Sequence, residues 1–451
     1  MSGVSGNRPN LAGKVAVVSH SHPSVTKGGA EIAAYTLYQG LLELGTDAIF
    51  IAACPEDDRS RVSLGSSREH VIFYQPVHYD HYYHLSHFDT VNRLGELLVR
   101  ENVSLVNFHH FFNFGVGVLR RAAAIPSMKV VITLHEFLAI CNHHGQMVTR
   151  PALHLCERAT SSACATCFPE RTRQQFSLRK MSLLAALSSC DACVSPSNFL
   201  GERFVEWGLD PGRMSVIENG LRNLPPRKDK LANDQPKSQW TFGFFGQINP
   251  FKGVDLLLRA ASILSKDEEE ESHIQIRLHG NLIGQSEDFL KQFEKQTQGD
   301  NSNIAWLGPY DNTSVGQLMG ECDYVLVPSK WWENSPVVIQ EAFAVGCPVI
   351  CSGIGGMAEK VRHGVSGLHF RVNDQFDLVR VLKEAAKTSR YKELFAGIPL
   401  PYGGKEMARR YLNLFSKLDG KSASDAAEDL EFGNYTQKGR ADSRFEVVDA
   451  E

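Results

Sequence analysis

Short apolar runs alternate with amphipathic stretches along most of this chain. Lys14 to His20, Ala48 to Ala53, Val71 to Tyr74, Leu105 to His109, Val130 to His135, Ala192 to Ser197 and Met214 to Glu218 are strand-like, and the clearest helix between them runs from Ala30 to Leu44. This alternation predicts a parallel sheet covered by helices on both faces. The stretch from Leu224 to Ser238 is polar, holds prolines and has no periodicity, so it reads as a linker. A second alternating unit opens at Trp240 and includes Ile274 to His279, Ile304 to Leu307, Tyr324 to Val327 and Val349 to Cys351. The expected division is a first domain at 1–225 with an insertion at 138–175, a linker at 226–239 and a second domain at 240–400. Both domains are expected to be α/β and doubly wound, facing each other across a cleft, a usual place for a ligand. Helix Lys405 to Leu418 places Met407, Tyr411, Leu414, Phe415 and Leu418 on one stripe. Residues 419–451 are polar, charged and poor in aromatics, the composition of a disordered tail.

Composition narrows the function. With 451 residues and 43% hydrophobic, the chain has material for sizeable cores, and a net charge of −4 argues against a general nucleic-acid binder. No run approaches the roughly eighteen apolar residues of a membrane span. The start, Met1-Ser-Gly-Val-Ser-Gly-Asn-Arg-Pro9, lacks the apolar core of a signal peptide. A cytoplasmic protein is expected, with its ten cysteines mostly reduced and peripheral contact with a membrane left open.

The densest chemistry lies in Glu333-Asn-Ser-Pro-Val-Val-Ile-Gln-Glu341. Asp323 to Ser329 reads as a buried strand, so Glu333 stands where strand gives way to helix. Ser335-Pro336 reads as a cap followed by a first-turn proline. Free N–H groups at such a helix start favour an anion such as a diphosphate. Gly28 and Gly29 follow the first strand, and without Cβ atoms they let the backbone approach a phosphate closely. Gly353-Ile-Gly-Gly-Met-Ala358 fits a dinucleotide fingerprint, but the first domain has no counterpart. The residues about twenty further on, Phe370-Arg-Val-Asn-Asp374, read as a loop rather than a strand end, which disfavours a dehydrogenase. The histidines 78, 81, 84 and 87 have near-helical spacing and read as partly exposed histidines in aromatic-rich loops, and Arg171, Arg173, Arg179 and Lys180 read as a solvated face or a contact for an anionic membrane.

The Glu333–Glu341 segment resembles the E-x7-E signature of the retaining glycosyltransferases of family 4, which use nucleotide sugars and have the GT-B fold. Three further blocks occur in family order: Lys27-Gly-Gly-Ala-Glu31, Phe242-Gly-Phe-Phe-Gly-Gln-Ile-Asn-Pro-Phe-Lys-Gly253, and Gly346-Cys-Pro-Val-Ile with Gly353 to Glu359. The resemblance covers roughly residues 14 to 370. It implies a GT-B pair of Rossmann-like domains, acceptor side first and donor side second, with 401–418 packing back on the first. By the same resemblance Lys252 neutralises the leaving diphosphate, His135 contacts the donor sugar, Glu333 binds sugar hydroxyls and Glu341 binds the ribose. Gln247, Asn334 and Ser335 join Gly28 and Gly29 on the donor side, and His109 and His110 fall on the acceptor side, where His78, His81, His84 and His87 are further candidates for contacts with an acceptor. Family members often have Arg where this chain has Gln247, and Gln cannot bind phosphate as a bidentate cation.

A double displacement needs two carboxyls about 5 Å apart. Positions 333 and 341 would stand about 12 Å apart on a helix, so no such pair is expected. The chain has no Asp-x-Asp, and no catalytic metal or other cofactor is expected. The reaction implied is transfer of a hexose-type sugar, with retention, from a nucleotide diphosphate sugar to a glycan or lipid-linked acceptor, in surface polysaccharide biosynthesis. An epimerase or phosphorylase on the same fold, or a non-catalytic sugar-nucleotide binding protein, are the alternatives. A structural zinc is also expected, on Cys141, Cys156, Cys164 and Cys167, with His143, His144 or His154 as substitute ligands. Buried apolar thiols or a redox disulfide are the competing readings of those cysteines.

Overall fold

In a computed structural model of the chain the described residues are 13–222, 225, 237, 239–266, 273–282, 284–298 and 303–420. The expected linker therefore lies outside them except for Lys237 and Gln239, and the expected tail except for Asp419 and Gly420. The first sheet comprises β1 (Lys14–Ser19), β2 (Ala48–Pro55), β3 (Glu69–Tyr74), β4 (Val103–Phe108), β5 (Lys129–Thr133), β6 (Ala192–Ser195) and β7 (Met214–Val216). Its spatial order is β3-β2-β1-β4-β5-β6-β7, parallel throughout. The second sheet comprises β8 (Gln239–Phe245), β9 (His273–His279), β10 (Ile304–Trp306), β11 (Tyr324–Val327), β12 (Val349–Ser352) and β13 (Gly367–Phe370). It is also parallel, in the order β10-β9-β8-β11-β12-β13.

Each sheet is doubly wound. Strand order reverses beside β1 in the first and beside β8 in the second. At those points successive connections leave toward opposite faces and open a crevice at the carboxyl ends of the strands. The catalytic candidates all follow such ends.

Both faces of the first sheet are covered, which explains why β1 and β2 are buried at consecutive positions rather than at alternate ones. Ala16 and Val18 pack with Leu94, Phe108, Leu187 and Phe204 on one side. Val15 and Val17 pack on the other with Leu37 and Tyr38 of helix Gly29–Glu43 and with Met407, Tyr411 and Phe415 of helix Gly404–Leu418. The last helix thus completes the core of the first sheet, although it follows the second in sequence. Among the described residues no helix is long and apolar enough to cross a membrane.

Three expectations change. Phe370 ends a strand, β13, where a loop was expected; the run Gly367–Phe370 is too short for its period to show. The histidines 78, 81, 84 and 87 share no helix. His84 is buried at φ +53° and hydrogen bonds Tyr79 and Arg179, while His87 caps helix Phe88–Arg100. Arg179 is neither solvated nor poised for a membrane: it is 2% exposed and donates to the carbonyls of Tyr82, Leu138 and Ala139. It ties the insertion to the domain by satisfying carbonyls that a loop leaves unpaired.

Truncating Phe415 to Ala should remove a fully buried ring from the first sheet's core and destabilise it by roughly 3–5 kcal/mol. Urea unfolding followed by circular dichroism measures this. An unchanged unfolding curve would place the last helix outside the cooperative core.

Candidate active site

At the reversal point of the second sheet, the loop after β8 folds over the end of β11. Asn249 Oδ1 accepts from the Lys252 N–H at 2.9 Å, and the Lys330 N–H donates to the Phe251 carbonyl at 2.8 Å. Gly253 turns the chain at φ +78°, with the Pro328 carbonyl only 2.0 Å from where a Cβ would stand, so no other residue fits. This turn aims Lys252 at Glu333. Its Nζ lies 2.6 Å from Glu333 Oε1, which also accepts from Ser329 Oγ and Trp331 Nε1, each at 2.8 Å. Phe251 stacks on Trp331 at 5.5 Å and braces the group. Burial alone would raise the Glu333 carboxyl pKa, but Lys252, Trp331 and Ser329 outweigh it and hold the group below its ordinary value. The sequence alone does not single out Ser329 and Trp331. A tryptophan pair in a polar loop beside the carboxylate was the available signal.

Glu341 is in the opposite condition. It lies on helix Val337–Ala344 and has no hydrogen-bond donor among the described residues. Burial pushes its carboxyl up to about 7. Ser335 is not the cap expected: Pro336 takes that position, and Ser335 Oγ is buried without a partner, as is Asn334 Oδ1. Unmatched polar atoms of this kind are rare in finished cores and suit a ligand. Gln247 is exposed just past β8 and has no hydrogen-bonding partner among the described residues. The glycines of Gly353–Ala358 serve packing. The Gly356 N–H donates to the Glu333 carbonyl at 2.7 Å, and a Cβ on Gly356 would stand 1.9 Å from the Asn334 carbonyl. They seat the Glu333 loop rather than a dinucleotide.

In the first sheet, Gly28 precedes helix Gly29–Glu43. The Glu31 carboxylate folds back over Gly28, whereas a Cβ on Gly29 would meet nothing within 4 Å. Burial opposes ionisation of Glu31, yet His20 and Thr26 hold its pKa at about 2. The residues after β4 and β5 meet in pairs. His109 Nδ1 lies 2.9 Å from His135 Nε2, and His110 Nε2 lies 2.9 Å from Glu136 Oε1. Burial lowers the pKa of all three histidines and keeps the His109–His135 pair neutral. The two units touch here, because Asn334 Nδ2 donates to the His135 carbonyl at 3.1 Å. Lys252, Glu333, Asn334 and His135 therefore line one region, and His109 stands directly behind His135.

The zinc expectation finds no support. Among the described residues no three His, Cys, Asp or Glu side chains are arranged to hold a metal ion. Cys141 joins the main core of the first sheet, whereas Cys164 and Cys167 pack beside Tyr82, Phe168 and Phe176. Cys167 Sγ accepts the Arg150 N–H. Burial pushes the thiol of Cys141 up to about 11 and that of Cys164 up to about 12, and the other cysteines of the group add to both shifts. Cys156 is half-buried against the same core as Cys141, and its carbonyl receives Trp332 Nε1 of the second unit. Arg179 and aromatic packing hold the insertion against the domain.

Known proteins bear on this geometry. The family described as Glycosyltransferase Family 4 matches residues 27–222, and the one described as Glycosyl transferases group 1 matches residues 227–395. The chain belongs to glycosyltransferase family 4. D-inositol 3-phosphate glycosyltransferase of Mycobacterium tuberculosis is 30% identical over 168 residues, 36% of this chain. The match spans only 33% of that relative's length. Anabaena HepE, solved in complex with UDP-glucose, superposes with a TM-score of 0.61 at 18% identity, covering 90% of this chain and 100% of its own. Sucrose-phosphate synthase from Thermosynechococcus elongatus gives 0.65 at 16% identity over 91% of this chain and 100% of its own. The fold is GT-B.

Glu341 gives this glycosyltransferase a pH signature. Its carboxyl titrates at about 7 because burial disfavours the charge. Hydroxyl donors of a bound ligand would favour the ionised form, so binding would release a proton below that pH. Affinity for a nucleotide diphosphate sugar should therefore rise about tenfold from about pH 6 to about pH 8. Titration calorimetry measures the trend, and Glu341→Gln should flatten it. A slope that persists in the variant would assign the proton to another group.

Proposed function

We propose that this chain transfers a hexose-type sugar, with retention, from a nucleotide diphosphate sugar to a glycan or lipid-linked acceptor. The observation that carries the reading is the Lys252–Glu333 contact at the carboxyl edge of the second sheet, with the unpaired Glu341 one helix turn and more beyond it. Lys252 is a cation with one carboxylate partner, suited to exchange that partner for a diphosphate as negative charge develops on the leaving group. Once released, Glu333 is an acceptor for sugar hydroxyls, and His135 offers a neutral ring to the same sugar. Glu341 takes the ribose. The name of HepE's ligand, UDP-glucose, and the sugar-transfer names of the relatives support a nucleotide-sugar donor.

In this reading the acceptor hydroxyl attacks from the face that the diphosphate leaves. The bond from the anomeric carbon to the diphosphate oxygen breaks as the bond to the acceptor oxygen forms. The departing diphosphate oxygen takes the acceptor's proton, so no base and no glycosyl-enzyme are needed. His110 and Glu136, beside His135 in the first unit, are the residues we assign to the acceptor side, with His109 behind them. The setting we infer, surface polysaccharide assembly at the cytoplasmic face of a membrane, rests on the family.

Lys252→Ala should lower turnover by about 10² or more, the scale of losing one preorganised charge contact. Release of free nucleoside diphosphate should depend on an acceptor in the native enzyme. Release without acceptor, or near-normal turnover in the variant, would overturn the assignment.

A further inference from the structure

His135 is the visible end of a buried chain of polar groups that begins on the C-terminal helix. Tyr411 is fully buried, and its hydroxyl lies 3.0 Å from Thr133 Oγ1. Thr133 Oγ1 lies 3.1 Å from Asn107 Oδ1, Asn107 Nδ2 lies 3.4 Å from His109 Nε2, and His109 Nδ1 lies 2.9 Å from His135 Nε2. Asn107 and His109 are 0% exposed and Thr133 is 1% exposed, so water cannot substitute for a missing partner.

The direction of every proton follows from the donor and acceptor capacities of the groups. An amide oxygen only accepts, so Thr133 gives its single hydroxyl proton to Asn107 Oδ1. Tyr411 must then donate to Thr133. An amide nitrogen only donates, so His109 Nε2 accepts. His109 is neutral, since burial lowers its pKa to about 3, and its one proton therefore sits on Nδ1 and points at His135. His135 Nε2 accepts it, and the proton of the neutral His135 ring is left on Nδ1. That atom makes no hydrogen bond to any described residue.

We propose that Tyr411, Thr133, Asn107 and His109 are positioning residues that fix His135 in its Nδ1–H tautomer, so that it presents a hydrogen-bond donor to the bound sugar. The tautomer stands on the chain of contacts alone, whereas the sugar as recipient rests on the function proposed above. The helix Gly404–Leu418, last among the described residues, thereby sets the chemistry of a side chain on the first sheet. Asn107 is the element that gives the chain its polarity. With its hydroxyl as donor to Thr133, Tyr411 leaves the Thr133 proton for the amide oxygen, the arrangement in which every buried hydroxyl proton of the chain is used.

The test is nitrogen NMR of the full chain with 15N-labelled histidine side chains, with the His135 signals identified by their loss in His135→Gln. The native protein should show a protonated, pyrrole-type Nδ1 and a pyridine-type Nε2, the form that free imidazole disfavours. Asn107→Asp places an acceptor against His109 Nε2 and should invert both rings, leaving His135 with Nε2–H. Tyr411→Phe, which frees the amide to turn over, should give a mixture of both forms. Nε2–H at His135 in the native protein, or an unchanged tautomer in Asn107→Asp, would overturn the proposal. Kinetics separate this from the site reading. Inversion should cost about tenfold in turnover, the scale of one hydrogen bond, while affinity for free nucleoside diphosphate stays unchanged. A tautomer that inverts as stated, with His135→Gln leaving donor kinetics untouched, would support the chain and remove the sugar contact.

Discussion

An ionised carboxylate survives in a protein interior only when positive charge and hydrogen-bond donors surround it, and the second unit is built to do this for Glu333. The β8 loop, the Gly253 turn, the end of β11 and the Phe251–Trp331 stack all converge on one oxygen, Glu333 Oε1, with three donors within 2.8 Å. Lys252 remains 29% exposed while Glu333 is 13% exposed. The pair is therefore asymmetric: the carboxylate is held, and the ammonium keeps an exposed side.

That loop also joins the two units. Asn334 reaches the His135 carbonyl and Trp332 the Cys156 carbonyl. A few residues on, Gln340 bonds the Asn219 carbonyl. Glu359 accepts the N–H groups of Asn198 and Phe199, placing a carboxylate on the open N-terminus of helix Asn198–Trp207, where the backbone dipoles favour it. Lys360 pairs with Glu218 beside it. The Glu333 loop and the strand ends of the first sheet therefore meet through side-chain hydrogen bonds to backbone groups. The last helix supplies the other connection, from a core position at Tyr411 to His135.

Much of this was legible in the sequence. The apolar runs located twelve of the thirteen strands among the described residues because both faces of each sheet are covered, and the E-x7-E segment marked the loop that carries Glu333. What escaped has physical causes. β13 is four residues long, so it has no period to detect. Arg179 looked like surface because its type predicts exposure, yet the insertion's unpaired carbonyls draw it inside. The cysteine spacing suggested zinc, but among the described residues no three such side chains are arranged to hold a metal ion. The chain from Tyr411 to His135 joins residues far apart in sequence through single hydrogen bonds, and only the packing of the last helix reveals it.

The central claim is that the Lys252–Glu333 contact is the resting state of a diphosphate-sugar clamp. A crystal structure of the chain with a bound nucleotide diphosphate sugar tests it most directly. The account predicts that Lys252 Nζ leaves Glu333 for a diphosphate oxygen, that Glu333 accepts from the sugar and Glu341 from the ribose, and that His135 Nδ1 lies within hydrogen-bond distance of a sugar oxygen. A nucleotide bound elsewhere, with Lys252 still on Glu333 and Glu341 still unpaired, would contradict it.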